Sequence, residues 1–196
     1  ARVVGVIRHP RVLFKSVIER PRWAAAMLLT FAVPPGCGTR FMQTEVGRQA
    51  LVDQWERTAQ AFVQEVSDAR YAEFTQMSEH GTLWALASAL ATGPVLTFLV
   101  AGLVVAVFGA GATFTQVLAV AAHAGVILAL RQLVATPLNY ARETLASPTT
   151  LGWFFPMLDE ASPAARFFGA IDLFVVWWVI VLAVGVAIAY RRPARS

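Results

Sequence analysis

Four polar side chains fall within stretches of sequence that are otherwise almost entirely apolar: Gln116, His123, Arg131 and Asp172. Such side chains are costly inside a bilayer, so they need partners, and they can mark a path for protons or a substrate. Gln116 and His123 share nearly one helical face, and Arg131 is turned from His123 by about 80° at about 100° per residue. We predict a polar stripe, either a proton path or a set of interhelical hydrogen bonds.

Arg131 and Asp172 have opposite charges and similar predicted depths in two antiparallel segments. Arg131 precedes Thr136 by five residues, roughly 8 Å of helix, and Asp172 lies as far from Phe167. Equal depth predicts an ion pair with charge-assisted hydrogen bonds. We interpret it first as a structural clamp and second as part of a proton or substrate relay.

Patterns typical of a catalytic or metal site are missing from the sequence. The three histidines, His9, His80 and His123, lie on separate segments, and Cys37 is the single cysteine. Neither HExxH nor GxSxG occurs, so no metal site or activated nucleophile is indicated. We therefore predict a protein that is not an enzyme, with no catalytic residue, no metal and no cofactor.

The composition indicates that membrane helices position these polar residues. Of 196 residues, 57% are hydrophobic and 14% charged, and the mean hydropathy is +0.59, outside the range of soluble globular domains. Four segments approach the roughly 20 residues needed to cross a bilayer: about 23–43, 82–108, 113–136 and 163–190. We predict an all-α, polytopic membrane helix bundle of about four transmembrane helices.

Two of these predicted spans contain residues that typically interrupt a helix. Pro34 and Pro35 lie in the first, and Gly93 and Pro94 lie near the centre of the second. We predict kinks or breaks there that face protein, because proline removes a backbone donor. Kinked packing is one interpretation, and a binding site at broken helices is the other.

Residues 1–22 predict a cytoplasmic amphipathic helix at the membrane interface, before a membrane domain over residues 23–196. Apolar residues recur there at helical spacing among basic ones, and the alternative is an ordinary solvated leader. The apolar positions are Val12, Leu13, Phe14, Val17 and Ile18.

The largest polar segment, residues 44–81, predicts a helical hairpin. Its first helix has an apolar face, and Ser67 is a suitable N-cap for a second helix. The face could rest on the membrane or dock a partner protein; it comprises Leu51, Trp55, Phe62 and Val66.

Charge predicts the orientation in the membrane. Residues 44–81 carry seven acidic and three basic side chains, whereas the two ends of the chain are basic. The positive-inside rule then makes 44–81 and 137–162 extracytoplasmic and places both termini in the cytoplasm. We interpret the net charge of +4 in this way, and not as a sign of nucleic-acid binding.

Several short motifs resemble the Yip1 family of membrane proteins, in particular its bacterial members. They are His9-Pro10, Glu19-Arg20-Pro21-Arg22-Trp23 and Ile171-Asp172-Leu173-Phe174 with Trp178. The resemblance implies an all-helical multispanning fold and a bacterial inner membrane. Eukaryotic relatives organise vesicle traffic with small GTPases through a long cytoplasmic region, for which the 22-residue leader here is no counterpart.

We therefore expect a non-catalytic membrane scaffold or an accessory subunit of a larger complex. Its partners would be the lipid bilayer and other membrane proteins. The alternative is a small transporter or lipid-handling protein that uses the stripe of His123, Arg131 and Asp172. That alternative predicts a water-accessible cavity that reaches His123.

Overall fold

The computed structural model describes residues 2–62, 66–109, 111–155, 157 and 162–190. Within these ranges the chain forms α-helices, one short 3-10 helix at Leu151–Phe154, and a single isolated antiparallel bridge. The all-α prediction is confirmed. In chain order the α-helices are α1 (Arg2–Arg8), α2 (Pro10–Glu19), α3 (Ala24–Met42), α4 (Glu45–Ala61), α5 (Asp68–Ser78), α6 (Gly81–Phe108), α7 (Phe114–Ala124), α8 (Val126–Arg142), α9 (Pro163–Ala170) and α10 (Leu173–Tyr190).

Three helices in the described part of the chain are long and apolar enough to cross a membrane. They are α6, the continuous pair α7–α8 over Phe114–Arg142, and α10. Each corresponds to one of the predicted spans 82–108, 113–136 and 163–190. The membrane class is therefore confirmed.

Two of these spans have different ends from those predicted. Helix α8 continues through Pro137 as far as Arg142, past the predicted end at residue 136. The segment 163–190 is two helices, because the chain leaves helical geometry at Ile171 and Asp172 and begins again at Leu173. The predicted single helix is wrong there.

Helix α3, the first predicted span, packs along α6 and α8. It runs antiparallel to α6: a Cβ placed on Gly81 would lie 3.4 Å from the Sδ of Met42, and one on Gly93 would lie 3.3 Å from Phe31. Helix α3 is not among the three candidate spans. Its crossing of the bilayer stays a prediction.

Helices α3 and α6 continue through Pro34–Pro35 and Gly93–Pro94, so neither helix is broken there. A kink at these positions stays a prediction. A proline removes only its own backbone donor, and hydrogen bonds on either side keep the helix intact where a neighbour packs against it. At Gly93 that neighbour is the Phe31 ring of α3.

The leader packs into the bundle. Helix α2 contacts α7 and α10. Most of its predicted apolar face, including Phe14 and Val17, is buried there, whereas Val12 is 69% exposed. Protein therefore covers most of that face. Arg8, Arg11 and Lys15 lie on the exposed side, and a position on the membrane surface stays a prediction.

Helices α4 and α5 form the hairpin expected over 44–81. The hydroxyl of Thr44 accepts a hydrogen bond from Gly47 N at 3.0 Å, and that of Ser67 accepts one from Arg70 N at 3.4 Å. The helices pack with the Trp55 and Phe74 ring centroids 5.8 Å apart. Two N-capped polar helices thus follow α3 and precede α6.

Candidate functional site

Asp172 occupies the gap between α9 and α10, where its carboxylate collects donors from several parts of the chain. Its Oδ2 accepts hydrogen bonds from Arg131 Nε at 2.7 Å, Ser147 Oγ at 2.9 Å and Thr149 Oγ1 at 2.7 Å. Only 8% of the residue is exposed. The carboxylate therefore joins α8, the 147–149 loop and the start of α10. We call Asp172 and its three side-chain donors, Arg131, Ser147 and Thr149, the junction.

The second carboxylate oxygen caps α10. Oδ1 of Asp172 accepts from the backbone N–H of Phe174 at 2.9 Å and of Val175 at 3.3 Å. A negative charge at a helix N-terminus satisfies donors that have no intrahelical partner and interacts favourably with the helix dipole. This local capping is why the helix begins at Leu173.

A short backbone link holds the 147–151 loop against this break. Thr150 and Asp172 form an isolated antiparallel bridge. Leu151 N donates to Ile171 O at 2.8 Å, and Leu173 N donates to Thr149 O at 3.0 Å. Backbone groups freed by the helix break are thereby paired, as partly buried N–H and C=O groups require.

Arg131 contributes the positive charge of the junction. Besides the bond from Nε to Asp172, its Nη2 donates to Ser147 Oγ at 2.9 Å, and 30% of the side chain is exposed. The two residues expected to pair from their depth are thus in direct contact. Whether the contact is a structural clamp stays a prediction.

His123 and Gln116, predicted to extend a polar stripe from Arg131, lie in other environments. His123 is 3% exposed, and its Nδ1 lies 2.7 Å from Ala119 O on its own helix. Gln116 forms a capping box with Thr113 and donates from Nε2 to Ile18 O of the leader at 3.3 Å. The four polar residues therefore do not form one site.

A cavity of about 370 Å³ lies between α3, α6, α7–α8 and α10. Arg131 and Gln132 belong to its lining, with Pro34 of α3, Gly93 of α6 and Trp178 of α10. His123 is not among the residues that line it. The cavity therefore meets the junction through Arg131, and the buried histidine stands apart from it.

The apolar face predicted on the hairpin is only partly accessible. Leu51, Trp55 and Val66 are half-buried, whereas Phe62 is 77% exposed. The Trp55 ring packs on Phe74, and Leu51 approaches Gly81 at the start of α6. The hairpin and α6 thus cover most of this face, and Phe62 remains its accessible aromatic residue.

Sequence reasoning missed Ser147 and Thr149 and the break at Asp172. Ser147-Pro148 resembles a helix start, but Ser147 instead bonds Arg131 and Asp172, and the 3-10 helix begins only at Leu151. One local signal was present: an aspartate directly before a long apolar run is a good N-cap. The hydroxyl partners come from distant sequence and had no such signal.

Within the described ranges, no three His, Cys, Asp or Glu side chains are grouped so that they could hold a metal ion. The polar groups of the junction are instead bonded to one another. What the arrangement can do chemically is to hold α8, a loop and α10 together through a shared carboxylate.

A helical fold with three bilayer-length apolar helices defines a polytopic integral membrane protein. The family model described as the Yip1 domain matches residues 4–196. The chain belongs to the Yip1 family, as its motifs indicated. The match includes α2 and most of α1, in agreement with their packing on the bundle. No curated protein and no solved structure matches the chain.

Proposed function

We propose that this Yip1-family protein is a non-catalytic scaffold or accessory subunit of a larger complex in a bacterial inner membrane. The observation that carries the proposal is the bonding of Asp172, which accepts from five donors. A carboxylate offers about four lone-pair sites. The acceptor sites of Asp172 are therefore used in bonds that connect helices, and few remain for a substrate or a mobile proton.

Phe62 is the residue we assign to partner contact. It caps the end of α4 on the polar hairpin, and 77% of it is exposed. Large aromatic residues are characteristic anchors of protein interfaces, so an exposed one is a candidate for such a contact. The partner we expect is a membrane protein with an apolar pocket on its extracytoplasmic side. The bilayer itself contacts α6, because only 6% of the most apolar 18-residue stretch of this helix is buried within the protein.

The proposal includes four crossings, with both termini cytoplasmic and segments 44–81 and 137–162 outside. Two contacts support it. Tyr190, at the end of α10, donates to Gly109 O at 3.3 Å, and Gln116 donates to Ile18 O of the leader. The end of α10 and the end of the leader therefore both lie at the α6–α7 end of the bundle. Antiparallel packing of α3 on α6 carries the chain from that end to the hairpin. The basic residues Arg191, Arg192 and Arg195 lie outside the described residues.

Purification in a mild detergent tests the accessory role. We expect the wild-type protein to co-purify with a membrane protein at constant stoichiometry and Phe62→Ser to lose it. Met77→Ser is the matched control, because Met77 is on the same hairpin and is 42% exposed. A wild-type protein that purifies from its native membrane as a monomer with no partner contradicts the proposal.

The second candidate is a small transporter or lipid-handling protein, which the 370 Å³ cavity favours. As predicted from the sequence, this candidate requires a water-accessible cavity that reaches His123. His123 is instead buried and does not line the cavity. Solute flux through reconstituted vesicles distinguishes the candidates. The accessory role predicts no flux above that of protein-free vesicles.

A further inference from the structure

The cavity between α3, α6, α7–α8 and α10 is mostly apolar. Its walls include Phe31, Leu96, Val100, Leu128 and Trp178. Two of its threonines are turned to their own backbones: Thr30 Oγ1 donates to Met27 O and Thr97 Oγ1 to Gly93 O, both at 2.9 Å. An apolar cavity of this kind is a poor site for water, which needs several polar partners.

The cavity is elongated along the helices. Its lining on α7–α8 runs from Ala121 to Gln132, and its lining on α6 runs from Ala89 to Val100. Each lining covers twelve residues, so its two ends are about 16 Å apart along the helix, or about half of the hydrocarbon thickness of a bilayer. Its volume of about 370 Å³ falls within the range of ligand pockets.

One end of the cavity is polar and lies at the edge of the hydrocarbon layer. Arg131 and Gln132 line it there, at the level where α10 begins after Asp172. From Leu173 to Tyr190, α10 has 18 residues, about 27 Å of helix, which nearly spans the hydrocarbon core. The junction therefore falls near the lipid headgroups, and the apolar walls extend from it towards the membrane centre.

We propose that this cavity binds one acyl chain of a membrane phospholipid, with headgroup ester or phosphate oxygens accepting hydrogen bonds from Arg131 and Gln132. The polarity gradient of the cavity matches that of the lipid. Arg131 uses Nε and Nη2 at the junction, and a guanidinium has five N–H donors, so others remain for the lipid. The inference does not rest on the accessory-subunit role.

The first test fills the cavity and counts bound lipid. Leu96 lines the cavity and is 44% exposed, so Leu96→Trp places an indole in the space of the acyl chain. Leu99→Trp is the matched control, because Leu99 is on the same helix, is 63% exposed and does not line the cavity. The delipidated full chain is incubated with dimyristoylphosphatidylglycerol in detergent, and bound lipid is counted by native mass spectrometry.

We expect one tightly bound phospholipid on the wild type and on Leu99→Trp, and at least a ten-fold weaker affinity for Leu96→Trp. Equal binding by all three proteins overturns the proposal. If Leu96→Trp does not fold, the pair Thr92→Phe, which lines the cavity, and Ala91→Phe, which does not, gives the same comparison.

A second measurement shows whether the bound acyl chain belongs to a phospholipid or to a free fatty acid. Sodium myristate should bind at least ten-fold more weakly than the phospholipid, and equal affinity would show a fatty-acid site, contrary to the assignment. If Leu96→Trp keeps its lipid but loses a co-purifying protein, the cavity holds a partner helix and the lipid proposal is wrong. Lost lipid binding with the partner retained supports the lipid site and leaves the accessory role intact.

Discussion

Gly185 of α10 lies directly against the ring of Phe14 of α2. A Cβ placed on Gly185 would be 3.2 Å from Cε2 and Cζ of that ring, and it would also meet Val120 of α7. Phe14 is fully buried. The sequence indicates only that α2 is amphipathic. In the structure α2 lies in a groove whose close packing requires a residue without a side chain at position 185 of α10.

Replacement of Gly185 should loosen the leader. Gly185→Leu places a side chain where Phe14 and Val120 already pack, and overpacking of this kind costs about 1–3 kcal/mol. We expect a lower thermal midpoint and faster tryptic cleavage after Arg22, which precedes Trp23. Gly102→Leu is the control, since a Cβ at Gly102 meets nothing within 4 Å. Equal effects of the two substitutions would contradict this packing.

Gln116 should stabilise the fold in two separable ways. Its Oε1 accepts from Thr113 N at 2.9 Å, and its Nε2 donates to Ile18 O at 3.3 Å. Gln116→Ala removes both bonds and should cost about 1–2 kcal/mol. Gln116→Glu keeps an acceptor for the cap but loses the donor to the leader. A smaller loss in thermal midpoint for Gln116→Glu than for Gln116→Ala is the expected order, and the reverse order would exclude the capping role.

The orientation predicts opposite sidedness for the hairpin and the leader. In a Cys37→Ala background, Phe62→Cys should react with a membrane-impermeant maleimide in intact cells. Lys15→Cys, which is exposed on α2, should react only after the membrane is permeabilised. Labelling of both positions from the same side would show that the topology is wrong.

His123 should be inaccessible to water, because it is 3% exposed and lies outside the cavity lining. In the same background, His123→Cys should resist a small water-soluble thiol reagent over the time in which Phe62→Cys reacts fully. Rapid labelling of His123→Cys in a protein with the wild-type thermal midpoint would favour the transporter alternative.

Residue depth was predictable and helix ends were not. The fixed rise of a helix predicted similar depths for Arg131 and Asp172, and the two are in contact, although the helix ends used for that prediction were wrong. Asp172 caps the helix that begins at Leu173 through one carboxylate oxygen. The donors to its other oxygen include Thr149 and Ser147, which are 23 and 25 positions away, and no local pattern indicates such partners. Proline raised the opposite difficulty: Pro34 and Pro94 suggested breaks, but tertiary packing keeps both helices continuous.

Whether lipid or protein covers an apolar helix face also could not be predicted without the tertiary structure. Helical periodicity identifies the face that contains Phe14 but is the same whether lipid or protein lies against it. The capping box at Thr113 and Gln116 is different, because a threonine followed three residues later by glutamine is a local signal. That signal was available in the sequence, whereas the bond from Gln116 to Ile18 required the fold.

The most direct measurement is a double-mutant cycle on the junction, read as free energy of unfolding in detergent. Arg131→Gln should cost about 3–5 kcal/mol, because it leaves the buried carboxylate of Asp172 uncompensated. Asp172→Asn should cost less, because the Arg131 side chain is 30% exposed, and the double variant should cost much less than the sum of the two. The exposed pair Arg70 and Glu73, at 2.7 Å, is the control and should show coupling below about 1 kcal/mol. Additive losses at Arg131 and Asp172, with coupling no larger than that of the exposed pair, would contradict the structural role of the junction.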